Sequence, residues 1–106
     1  MSAVQTYDIA FRNYIEDHLM FLRDHETTEL VNIDGGLAYK NSGDFYGLLT
    51  DMSVPVYLHW VLLRVNNMTN PFAFNEDMVS MLKINLDVYD KLVVIFKSSA
   101  GGSGFR

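Results

Sequence analysis

Any chemistry in this chain would have to come from three histidines, a few serines and its paired acids. His18 and His25 are seven residues apart, with Asp17, Asp24 and Glu26 close by. Two histidines that share a zinc ion on a helix sit four apart, as in His-Glu-x-x-His, so that both rings leave one face. That spacing is absent, and surface or packing roles are the simpler reading. The apolar pattern around His59, next to Trp60, predicts a partly buried helix residue. Ser42, Ser53 and Ser80 lack the Gly-x-Ser-x-Gly elbow that activates a serine nucleophile. Gly35-Gly36 and Gly43 do not form a phosphate loop, which needs a longer glycine series and a lysine at a helix start. Glu16-Asp17 and Glu76-Asp77 are adjacent in sequence. On a helix such neighbours point about 100° apart and cannot share a substrate. These patterns predict no enzyme, no metal and no cofactor.

Composition narrows the partners. The 106 residues are 49% hydrophobic, enough for one domain with a real core and appended segments. A chain this small buries only about 60–65% of its unfolded surface, so part of the apolar surplus invites cover by a partner. Eight Lys and Arg stand against thirteen Asp and Glu, a formal charge of −5. The cations Arg12, Arg23, Lys40, Arg64, Lys83, Lys91 and Lys97 are scattered, so the footprint of a nucleic-acid binder is missing. Cysteine is absent, which removes disulfides and thiolate metal sites and fits a reducing cytoplasm. Met1 to Asp8 lacks the charged and apolar regions of a signal peptide. No apolar run approaches the roughly 18 residues of a membrane span. The expectation is a soluble protein that its own sequence does not export.

The elements that would position these residues follow from periodicity. Ile9, Ala10, Tyr14, Ile15, His18, Leu19 and Leu22 recur at spacings of three and four, predicting an amphipathic helix over 6–24 with Thr6 near its cap. Asp34-Gly35-Gly36 reads as a break and a boundary. Leu37–Lys40 reads as a first strand. Asn41-Ser42-Gly43 turns it, and Ser42 or Asp44 caps a helix whose stripe is Phe45, Leu48, Leu49 and Met52. Gly47 inside that helix implies close approach of another backbone. A second helix opens at Pro55 and is apolar nearly all round, so the N-terminal helix or a neighbouring subunit must cover its outer side. Asn66 to Pro71 ends it, and Phe72 and Phe74 fall in the loop that follows. Met81-Leu82-Lys83-Ile84 reads as a second strand, antiparallel to the first. Beyond Asn85 the spacing of Leu86, Tyr89, Leu92, Val93 and Phe96 fits a helix, whereas Leu92–Phe96 is rich in strand formers; a short helix near Asp87–Lys91 followed by an extended continuation is the expectation. Ser98 to Arg106 has linker composition, with a terminal Phe-Arg that either plugs into a neighbour or ends a disordered tail.

The order strand, Gly43-Asp44-Phe45-Tyr46, helix, helix, Asn-rich turn, strand resembles a LysM module. With Tyr57-Leu58-His59-Trp60 opening the second helix and Val65-Asn66-Asn67-Met68-Thr69-Asn70-Pro71-Phe72 closing it, the chain resembles LysM-like baseplate proteins of contractile-tailed bacteriophages, the wedge type in particular. The likeness covers about half the chain. It departs at Asn85, where many members carry proline.

The resemblance implies an α+β fold: a LysM-like βααβ module over 37–85, an N-terminal helical extension over 1–36, and a C-terminal segment with a flexible tail over 86–106. It further implies a structural virion protein, a baseplate wedge or hub-associated subunit assembled in the host cytoplasm. Its partners would be other tail proteins, in multiple copies of a symmetric assembly. Membrane, nucleic acid and small-molecule substrates are not among them. Aromatic and arginine anchors dominate such contacts, which singles out Tyr57, Trp60, Arg64, Phe72 and Phe74. The alternative is a peptidoglycan-binding module, because many LysM domains grip N-acetyl sugars between the loops that correspond to Asn41–Asp44 and Asn67–Ala73, where Phe45 and Phe72 could stack on sugar. The missing export signal and the bulky second helix stand against it.

Overall fold

The computed structural model describes the backbone of residues 8–103 and the side chains of residues 9–98. Thr6 and the terminal Phe105-Arg106 lie outside the described residues. The architecture is α+β: helices α1 (Asp8–Asp17) and α2 (Leu19–Asp24), strand β1 (Glu29–Asn32), helices α3 (Gly35–Lys40), α4 (Phe45–Asp51) and α5 (His59–Val65), strand β2 (Ser80–Lys83) and helix α6 (Leu86–Ser103). Single 3-10 turns at Val56–Leu58 and Pro71–Ala73 flank α5.

The N-terminal helix comes in two pieces. At His18 (φ −111°, ψ 11°) the backbone N–H bonds Ile15 O at 2.9 Å, tightening one turn and re-aiming α2. Ile15, Leu19 and Leu22 carry the buried stripe, and Phe11 packs against the core, whereas Ile9 is exposed.

The first strand is not Leu37–Lys40. That segment is helical, because Asp34 Oδ2 accepts from Leu37 N at 3.0 Å and caps a turn that begins at the glycine pair. The alternation of Leu37 and Tyr39 with Ala38 and Lys40 mimicked a strand, but α3 uses it differently: Ala38 is buried, Leu37 is half-buried and Tyr39 is exposed. The strand is the run before the break. Glu29, Leu30, Val31 and Asn32 pair antiparallel with Lys83, Leu82, Met81 and Ser80. A boundary after Gly36 therefore divides β1 from its partner, and the paired unit begins at Glu29. Three helices, not two, separate the strands.

Helices α4 and α5 sit where the periodicity puts them. Asp44 Oδ1 caps α4 through Gly47 N at 2.9 Å. Gly47 is small for a reason other than a neighbouring backbone: a Cβ there would strike the Asp44 carboxylate and stand 2.8 Å from Asn41 Oδ1. Both helices end in the same device. Ser53 (φ 64°) and Asn67 (φ 65°) take the left-handed conformation. Val54 N then reaches Leu49 O at 2.9 Å, and Met68 N reaches Leu63 O at 3.0 Å, so carbonyls orphaned at each helix end are satisfied.

Pro55 precedes a 3-10 turn, which hands over to α5 at His59. His59, Val61, Leu62, Leu63 and Val65 are all buried, and it is the N-terminal layer of this same chain that covers the outer side. Arg23 donates from Nε to Val65 O (2.9 Å) and from Nη2 to Arg64 O (3.0 Å), placing a cation on the C-terminal carbonyls of α5.

Asn66 ties α5 to the sheet. Its Nδ2 donates to Leu62 O (2.8 Å) and Leu82 O (3.0 Å), while Oδ1 accepts from Leu82 N (2.7 Å). One side-chain amide thus takes the place of a third strand along β2.

The C-terminal segment is one helix, correcting the expected extended continuation. Asn85 Oδ1 accepts from Asp87 N at 2.8 Å and starts it, a service proline cannot provide. The β-branched run is held helical by tertiary contacts: Leu92 and Tyr89 are buried, and Phe96 meets Phe11 at 5.3 Å and Tyr14 at 5.1 Å between ring centroids. Helical propensity yields to packing here.

Candidate interaction surface

The five anchor residues divide into three kinds. Phe72, on the 3-10 turn that Asn70 Oδ1 caps through Phe72 N (2.8 Å), is 75% exposed. Tyr57 is 55% exposed and lies 5.7 Å from the Tyr89 ring. Trp60 and Arg64 are half-buried and already engaged. The Arg12 guanidinium stands 5.2 Å over the Trp60 ring. Arg64 binds Glu16 through Nε and through Nη2 (3.0 Å), and its Nη1 donates to Met68 O at 2.7 Å. Those hydrogen bonds hold the Glu16 carboxyl below its usual range. Phe74 is only 2% exposed and packs on Phe45 at 5.7 Å. It is a core residue and leaves the surface altogether.

The first sugar-gripping loop of the resemblance, Asn41–Asp44, bonds to residues just beyond the second, Asn67–Ala73. Gly43 N donates to Phe74 O at 2.6 Å, and Ser42 Oγ donates to Glu76 Oε1 at 2.6 Å. The Ser42 bond, with a contribution from Glu76's own backbone, holds the Glu76 carboxyl low. Phe45, offered as a stacking ring, is fully buried beneath them. The Asn41–Asp44 loop is thus fastened to the chain that follows the Asn67–Ala73 loop.

The histidines hold structure. His59 is buried with Nε2 2.9 Å from Val54 O, and His18 Nδ1 lies 2.7 Å from Tyr14 O. His25 Nδ1 accepts from Thr27 N at 3.1 Å, closing the turn after α2. No group of three or more metal-ligating side chains gathers among the described residues.

Periodicity passed over several of the exposed apolar side chains. Val56 adjoins Tyr57; Leu86 lines a cleft of about 200 Å³ with Pro55, Leu58 and Ile84. Phe21 and Ile95 flank an open groove of about 560 Å³ between α2 and α6, with His25, Glu26 and Lys91 along it. Val94 stands beside Ile95 on the outer face of α6. Leu30 is exposed on β1. Surface hydrophobes give no periodic signal of their own, since exposure depends on which neighbours the fold supplies. No helix among the described residues is long and apolar enough to cross a membrane. No protein-family model, curated protein or solved structure matches the chain.

Proposed function

We propose that this chain is a structural subunit of a larger assembly, a baseplate wedge or hub-associated protein of a contractile tail, that works by protein–protein docking alone. The observation that carries the docking half of this reading is a set of apolar side chains left in solvent: Val56 and Tyr57 together, Phe21 with Ile95 across a groove, and Phe72 on its own turn. Large apolar groups that recur side by side on a small surface mark binding sites more often than isolated ones do. The word baseplate comes from the resemblance of Gly43–Tyr46 and Tyr57–Phe72 to the tail family. The groups that would have to do chemistry are spent on the fold: His59 on Val54, Arg64 on Glu16, Ser42 on Glu76.

The peptidoglycan reading has the exposed Phe72 in its favour and the buried Phe45 against it. The Gly43–Phe74 and Ser42–Glu76 bonds also hold the Asn41–Asp44 loop against the chain that follows the Asn67–Ala73 loop. The test is incorporation. Tails assembled with a Tyr57→Ser, Phe72→Ser chain should lack the subunit, although the purified variant stays folded. Normal occupancy of the variant in tails would overturn the proposal. Retention of the unmodified chain on insoluble peptidoglycan would favour the rival.

A further inference from the structure

The two edges of the small sheet are treated differently. Along antiparallel β1 and β2, residues alternate between those whose N–H and C=O face the partner strand and those whose groups face away. Ile33 N donates to Val79 O at 2.9 Å, so in this register Val31–Met81 and Glu29–Lys83 are the bonded pairs. The groups of Leu82 point outward on the β2 side and are both taken by Asn66. The groups of Leu30 and Asn32 point outward on the β1 side, where no hydrogen bond meets them among the described residues. Leu30 is 68% exposed, Asn32 is exposed too, and β1 carries none of the proline, lysine or bulge that keeps an edge from pairing.

We propose that a second copy of this chain occupies that edge, its β1 antiparallel to the first across a two-fold axis at Val31. In this register Leu30 and Asn32 of one copy exchange N–H···O bonds with Asn32 and Leu30 of the other, and every free group on both edges is satisfied. Val31 faces its own image at about 4.5 Å between Cα atoms, the spacing of a non-bonded pair. The neighbouring registers fail on groups already used. A shift toward the N-terminus calls on Thr28, whose N–H donates to His25 O at 3.0 Å, and sets Glu26 against Asp34. A shift the other way calls on Asp34, whose carbonyl accepts from Ala38 N at 2.9 Å.

Charge agrees with this choice. Despite the net charge of −5, the Val31-centred register sets Glu29 opposite Ile33 and Thr28 opposite Asp34, so no acid faces an acid. Glu29 also has Lys83 across from it in its own chain. The result is a four-stranded sheet ordered β2-β1-β1-β2. Because Asn66 takes both outward groups of Leu82 at each outer edge, the β2 edge is the poorer template for a further strand, and the pairing is isologous and closed. The inference stands whether or not the chain belongs to a tail.

Sedimentation of the purified full chain up to about 1 mM, the weak end of specific association, supplies the test, together with amide exchange at Leu30 and Asn32. The mass should rise to twice 12.1 kDa with concentration, and those two amides should slow as it does. Leu30→Pro deletes an outward N–H that β2 does not use, and should remain a folded monomer. Leu30→Lys, which leaves the backbone intact, should also stay monomeric and guards against a folding defect in the proline variant. A wild-type monomer at about 1 mM would overturn the proposal. So would a dimer whose Leu30 and Asn32 amides exchange at the monomer rate, or dimers from both variants.

Discussion

Phe72 and Phe74 are two residues apart in the same loop, and the fold gives them opposite fates. Phe74 is 2% exposed against the Phe45 ring, whereas Phe72 is 75% exposed. Truncating a buried phenylalanine to alanine costs about 3–5 kcal/mol, through lost transfer energy and the cavity left behind. Total stabilities of small domains are about 5–15 kcal/mol, so Phe74→Ala should remove a large share of what holds this one together. With about 4–8 °C per kcal/mol for a chain of this size, the midpoint should fall by at least about 12 °C. Phe72→Ala has little to lose in the free protein and should stay within about 0.5 kcal/mol of wild type. Urea unfolding followed by Trp60 fluorescence and extrapolated linearly measures both. If Phe74→Ala stays within about 1 kcal/mol of wild type, well short of the truncation cost, or if Phe72→Ala falls equally far, the division between core and surface is mistaken.

Three further outcomes follow from single contacts. Asn66→Ala removes three hydrogen bonds at once, each worth about 1 kcal/mol net, and should cost about 2–3 kcal/mol in urea unfolding; a loss under about 0.5 kcal/mol would deny Asn66 its place as a surrogate strand. Gly47→Ala should destabilise despite the better helix propensity of alanine, because the new Cβ displaces the Asp44 cap, worth about 0.5–2 kcal/mol; a rise in midpoint would contradict the packing. Glu16, Asp51 and Glu76 are held below their usual ranges, respectively by hydrogen bonds from Arg64, from Asn41 then Lys40, and from Ser42 then Glu76's own backbone. Depressed folded values mean that the stability they lend is complete above the unfolded carboxylate range near about 4 and is lost as pH falls through the folded values. Thermal midpoints should therefore be level near neutrality and drop in acid, more steeply for wild type than for Glu16→Gln.

How much of this was legible in the sequence depended on whether the signal was local. The stripes of α4 and α5, the Asn-rich stop and the second strand read directly, because caps and left-handed turns are written in residue type. Asn66 was legible as a helix ender, but its bonds to Leu82 span sixteen residues and have no local signature. Leu37–Lys40 misled because four residues fit a period of two as well as a period of 3.6. Only the Asp34 cap decides between them. In α6 the short helix near Asp87–Lys91 was legible and its continuation was not: Leu92–Phe96 has the propensity of a strand, and the Phe11 and Tyr14 rings that hold it helical come from the other end of the chain. Tyr57 and Phe72, singled out by residue type, are exposed. Phe74 looks the same in sequence, and only its three-dimensional neighbours separate it.

The docking claim is tested most directly by oxidative footprinting of aromatic side chains in the free chain and in assembled tails. Tyr57 and Phe72 should label readily when free and become protected in the particle, while Phe45 and Phe74 stay silent in both. Equal labelling of Tyr57 and Phe72 in the two states, with the chain present in the particle, would contradict it.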